Sequence, residues 1–107
     1  MQFETDLKSP HKDLYLATRD VILGFEGIEE TRKPRITTYG LPGGGICHMR
    51  TMPEGVDVGL LKGSLLDDRY DLLVTRGSSK RIRVYSFDQL DEAKLSYYLE
   101  QSIALVE

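Results

Sequence analysis

Tryptophan is absent from this 107-residue chain, and cysteine occurs once, at Cys47. A single cysteine forms no intrachain disulfide, so the fold must be held by a core alone. Histidine is nearly as scarce, with only His11 and His48. Cys47 and His48 are neighbours on what reads as a strand, where successive side chains point to opposite faces, so they cannot share an ion. A zinc or copper site within one chain is thereby disfavoured. Long apolar runs are also missing, and nothing in the sequence predicts a membrane span. The N-terminal residues show no basic segment followed by an apolar one. Secretion therefore has no support, and the expected location is cytoplasmic. No Gly-x-x-x-x-Gly-Lys-Ser/Thr loop and no Ser/His/Asp arrangement is found, and the expectation is a protein that is not an enzyme.

The composition that is present is ordinary. Apolar residues make up 40% and charged residues 29%, which is the balance of a folded globular chain and argues against disorder. The length predicts one domain spanning residues 1–107. A net charge of −3 points to no partner by itself. It disfavours a generally basic nucleic-acid binder and leaves room for a local basic patch.

The chain is organised around Val56-Asp57-Val58-Gly59-Leu60-Leu61-Lys62-Gly63, the most apolar stretch, which reads as a central strand. Residues 1–8 are mixed and polar and are expected to be partly frayed or to form a short lead-in. Ser9-Pro10 reads as a helix start. From there Leu14, Ala17, Val21, Ile22 and Phe25 make one apolar stripe, with Gly24 and Gly27 at the stop. Residues 36–39 are β-prone, and Pro34 marks a strand start or an edge. The connection Gly40-Leu41-Pro42-Gly43-Gly44-Gly45 reads as a flexible loop. Ile46 to Met52, the turn Pro53-Glu54-Gly55 and Val56 to Lys62 predict a hairpin. Residues 65–73 show no alternation and read as a helical turn or tucked loop. Lys80 to Phe87 alternates clearly as a strand. Asp88 is the expected cap of a last helix whose buried stripe is Leu95, Leu99, Ile103 and Val106.

This order predicts an α+β fold: one antiparallel β-sheet covered on one face by an N-terminal and a C-terminal helix. The covered face is expected to hold Ile36, Thr38, Cys47, Met49, Val58, Leu60, Ile82 and Val84. Cys47 is then a small apolar core group. Register decides everything else, because a slip of one residue exchanges the two faces. In the register adopted, the open face carries Arg35, Tyr39, His48, Arg50, Arg81, Arg83 and Tyr85, with Met52 and Leu61 nearby. A cationic, aromatic sheet face suits a small anionic ligand or an acidic protein surface. The bland reading of the same residues is a solvated face with cross-strand charge pairs to Asp57 and Glu54. The apolar Met52 and Leu61 also admit a homodimer. Nucleic acid is disfavoured as a partner, since no aromatic RNA-binding signature is present.

Tyr39-Gly40-Leu41-Pro42, Cys47-His48-Met49, Val56 to Gly63, Leu72-Leu73 and Lys80-Arg81-Ile82-Arg83-Val84 together resemble the YdhG-like family, the small domains of unknown function numbered 1801. The resemblance spans roughly residues 10–107 and rests on glycines and apolar positions. The sequence departs from it at Gly43-Gly44-Gly45, where the family tends to carry a bulkier residue and a continuing strand. The resemblance implies a sheet with N-terminal and C-terminal helices on one face, frataxin-like in some members, and an intracellular iron chaperone has been proposed for one of them. Iron would then be the cofactor or cargo. Its ligands would be carboxylates, which suit hard cations, and the candidates are Glu29, Glu30, Asp67 and Asp68. The first helix speaks against an acidic ridge, because Asp13 and Asp20 alternate with Lys12 and Arg19. The leading expectation is a small cytoplasmic binding or adaptor domain that uses its open sheet face, with a frataxin-like iron carrier as the alternative.

Overall fold

Alternating side chains in the middle of the chain build one antiparallel sheet. In the computed structural model, which describes residues 1–107, its strands are β1 (Glu29–Arg32), β2 (Thr37–Leu41), β3 (Gly44–Met52), β4 (Gly55–Leu60), β5 (Leu73–Arg76) and β6 (Ser79–Val84). They lie in the order β1-β2-β3-β4-β6-β5, so β6 pairs with β4 and β5 becomes an edge. Three helices complete the fold: α1 (Gln2–Leu7), α2 (Lys12–Leu23) and α3 (Glu92–Val106). The expected α+β architecture is therefore present, with helices from both ends of the chain packed on the sheet.

The helices differ from expectation at their starts. Residues 1–7 do not fray. Helix α1 buries Phe3 and Asp6, and the Asp6 carboxylate accepts hydrogen bonds from the backbone N–H (3.0 Å) and hydroxyl (2.7 Å) of Thr51. Helix α2 begins at Lys12 rather than at Ser9-Pro10, because the Ser9 hydroxyl closes a local turn by accepting from the His11 N–H. Its buried stripe is Leu14, Tyr15, Thr18 and Ile22. Helix α3 is capped by Asp91, which accepts from the Lys94 N–H at 3.0 Å; a single 3-10 turn at Phe87–Gln89 occupies the position where Asp88 was the expected cap. It buries Leu95, Tyr98, Leu99 and Ser102.

Two further corrections concern the sheet. Residues 42–45 are not a flexible loop. Pro42-Gly43 is the turn of the β2–β3 hairpin, and Gly43 lies so close to the Val106 carbonyl at the end of α3 that no side chain fits there. The segment after Gly63 makes a 3-10 turn (Gly63–Leu65) and a loop, and then forms the unexpected strand β5.

Register sets the faces. Thr37 pairs with Met49, Cys47 with Leu60, Met49 with Val58 and Val58 with Ile82. Cys47, Met49, Val58, Leu60, Ile82 and Val84 are buried beneath the helices, as expected. Strand β2 is displaced by one residue from its expected register. Thr37 and Tyr39 point inward and are fully buried, Thr38 points outward, and Ile36 precedes the strand. A bulge between Tyr39 and Gly40 leaves Ile46 as the extra residue of β3. The reason for the inward turn is chemical: the Tyr39 ring fills the core while its hydroxyl donates to Glu30 at 3.0 Å.

Candidate functional site

The uncovered face of the sheet is read directly from the strand pairing. Across β3, β4 and β6, one row is His48, Gly59 and Arg81, and the next is Arg50, Asp57 and Arg83. Met52, Gly55 and Tyr85 continue toward the end of the sheet. Neighbouring strands are about 4.8 Å apart, so Arg50 and Arg83, on either side of β4, start about 10 Å from each other. Asp57 sits between them. Its carboxylate is only 5% exposed and accepts from the Arg81 guanidinium at 3.0 Å, and lies 3.4 Å from Arg83 Nε.

These contacts determine the electrostatics. Burial of a carboxylate is costly unless it is paired, and Arg81 and Arg83 supply that pairing. Arg81 is held most firmly, with its side chain 13% exposed; Arg83 is 32% exposed. Arg50 is exposed and makes no salt bridge. One carboxylate thus faces three arginines, which leaves an excess of two positive charges turned to solvent. His48 lies beside them, half-buried. Burial holds its imidazole below the usual titration range, and the Arg81 charge pushes in the same direction against a weaker pull from Asp57. A side chain at Gly59 would collide with the His48 ring, so glycine is what allows the imidazole to lie across β4.

The structure brings together five of the seven residues expected on this face: His48, Arg50, Arg81, Arg83 and Tyr85. Arg35 lies outside the sheet, in the turn between β1 and β2. Tyr39 is on the opposite, covered face and fully buried, a direct result of the one-residue shift of β2. Burial and the neighbouring Tyr15 and Glu30 raise the Tyr39 phenol far above its ordinary pKa. Asp57 meets its expected cross-strand arginines, whereas Glu54 lies in the turn before β4 and forms no ion pair.

The four carboxylates considered for iron are not gathered in one place. Glu29 is exposed on β1, the edge strand. Glu30 is bound on all sides: Arg19 Nε donates at 2.6 Å, Arg32 Nε at 3.1 Å and Tyr39 at 3.0 Å. Burial works to raise its pKa, but these three donors outweigh it and hold the carboxyl below its usual range. Asp67 accepts from the Tyr97 hydroxyl of α3, and Asp68 accepts from the Tyr98 hydroxyl and from the Leu72 and Leu73 N–H groups. No group of three His, Cys, Asp or Glu side chains is placed to hold a metal ion. Cys47 is fully buried, and burial pushes its thiol up to about 12.

Val74 was missed with its strand: it pairs with Arg81 and extends the open face toward the β5 edge. The run Leu72 to Arg76 followed by Gly77-Ser78 carried the hairpin signal that could have revealed it. A cleft of about 320 Å³ also opens between β6 and the first turn of α3, floored by Leu72, Ile82, Val84, Leu90 and Leu95, and its lining holds no Ser, Thr, Cys or His. No helix is long and apolar enough to cross a membrane. Compared with known proteins, the chain matches no family model, no curated protein and no solved structure.

Proposed function

We propose that this chain is a non-enzymatic binding or adaptor domain of the YdhG-like kind, and that its open sheet face receives the anionic group of a small ligand or of a protein partner. The observation that carries the reading is Asp57. Buried under an otherwise cationic face, it orients Arg81 and Arg83 while Arg50 stays unpaired. Arginine donors held in place before a ligand arrives lose less freedom on binding, and guanidinium groups match phosphate and carboxylate oxygens. Tyr85, 46% exposed at the margin, supplies an apolar and aromatic rim. The single buried thiol suits a reducing compartment such as the cytoplasm.

The test is an NMR titration with inorganic phosphate and, separately, with a short acidic peptide. Shifts should be confined to residues 48–52, 57–59 and 81–85 and weaken with added salt. Reversing the charge at Arg50 and Arg83 should abolish them while the rest of the spectrum is unchanged. Saturable shifts that survive both reversals sink the proposal. The frataxin-like iron carrier draws on the family resemblance alone, because Glu30, Asp67 and Asp68 are occupied by internal donors. Saturable ferrous binding without oxygen, lost when Glu29, Glu30, Asp67 and Asp68 are neutralised, would favour it instead.

A further inference from the structure

Three fully buried oxygens under the helices find no partner within the chain: Asp6 Oδ2, the Tyr15 hydroxyl and Thr37 Oγ1. Orphaned polar atoms in a core are costly, and three together call for an explanation. They come from three elements, α1, α2 and β2, that converge on the same part of the sheet. Asp6 is fixed over β3, because its other oxygen accepts from Thr51 and from the Gln2 amide. Thr37 pairs with Met49, so Thr51 is its diagonal neighbour on the same covered face, about 7–8 Å away between backbones. The Tyr15 ring packs edge-on against Phe3 of α1, 6.1 Å between ring centres, and its hydroxyl lies near Thr37 and Tyr39 without a well-formed hydrogen bond to either.

We infer that Asp6, Tyr15 and Thr37 form an internal binding site for one water molecule. Such a water accepts from the Tyr15 hydroxyl and donates to Asp6 Oδ2 and Thr37 Oγ1. Three hydrogen bonds are the usual complement of a buried water, and they satisfy all three oxygens at once. The water joins α1 and α2 to β2 and, through Asp6, to Thr51 at the end of β3. Thr51 adjoins Arg50 in sequence, so this solvent site also braces the strand that presents Arg50 on the other face. The inference does not depend on what binds to the open face.

Isosteric removal of the hydroxyls tests it by sign. If the oxygens were merely unsatisfied, Tyr15→Phe and Thr37→Val would leave the protein equally stable or stabilise it. With a bridging water, each lowers the melting temperature by about 4–8 °C. Thr37→Ser, which keeps the oxygen, should recover most of the loss. Because both hydroxyls act through one molecule, the double variant should lose less than the two single losses added together. A crystal structure that shows ordered solvent should place one density peak within hydrogen-bond distance of the three oxygens. Unchanged or raised melting temperatures, or a structure in which the three groups bond one another directly, overturn the inference. A melting temperature that rises in sodium chloride relative to choline chloride overturns it too, by placing a cation there.

Discussion

Glu30 and Asp57 are two nearly buried carboxylates, each meeting two arginines, on opposite faces of one sheet. Glu30 is enclosed. Arg19 comes from α2, Arg32 from its own strand, and Tyr39 closes the third side. Arg32 is further occupied by stacking 3.7 Å from the centre of the Phe3 ring. Asp57 is uncovered. Its arginines both come from β6, no helix caps them, and a third arginine on β3 stays free. The same chemistry locks helix to sheet where it is covered, and prepares a charged surface where it is not.

Substitutions should separate these roles. The largest expected effect is Glu30→Gln, which strips two arginines of their shared partner and should cost about 3 kcal/mol, read as a lower denaturant midpoint at unchanged slope. Phosphate shifts on the open face should be unaffected. Asp57→Asn should cost less, about 2 kcal/mol, because Arg83, 32% exposed, can turn to water. Here the binding readout carries the weight. Charge counting alone predicts tighter phosphate binding after this substitution. The orienting role of Asp57 predicts weaker binding, and tighter binding would show that the carboxylate merely opposes the ligand.

Acid should act on the two faces at different pH. The Glu30 carboxyl titrates lower in the folded protein than in the unfolded chain. Its contribution is complete above the unfolded value of about 4.3 and is lost as pH falls through the lower folded value. His48 is also depressed, so the sign is the same one step higher: its contribution is complete above about 6.5 and declines as pH falls toward the folded value. Chemical denaturation across this range should show both declines, and Glu30→Gln should shrink only the lower one, to which Asp68 also contributes. The smallest effect is expected from Gly59→Ala. The His48 ring can swing aside, so stability should change by no more than about 1 kcal/mol. The displaced imidazole, now in water, should titrate closer to its ordinary value in an NMR pH series; an unmoved titration would mean that Gly59 does not seat it.

The readable parts of this fold were those with a single consistent period. Arg81 to Val84 alternates basic and apolar residues without exception, and the structure places its two faces as the alternation predicts, although the strand ends at Val84 rather than at Phe87. Residues 36–39 read Ile-Thr-Thr-Tyr, in which either face is equally apolar, so nothing local fixed the register; the buried Tyr39–Glu30 hydrogen bond that does so joins two strands. Asp6 looked like any surface acid because its partner, Thr51, is 45 residues away in sequence. The open face could be anticipated because three of its arginines sit on two well-patterned strands. The enclosed Glu30 cluster could not, since Arg19 and Glu30 meet only after α2 has packed on the edge of the sheet.

Asp57 has a consequence for which fold the chain selects. Strand β6 must find β4 across a long connection, and the pleat offers it two registers that differ by one residue. The wrong one would turn Ile82 and Val84 to solvent, drive Arg81 and Arg83 beneath the helices, and leave Asp57 facing apolar side chains. A carboxylate that rewards only one alignment therefore acts as a proofreader of strand pairing, rejecting the mismatched sheet before any ligand is met.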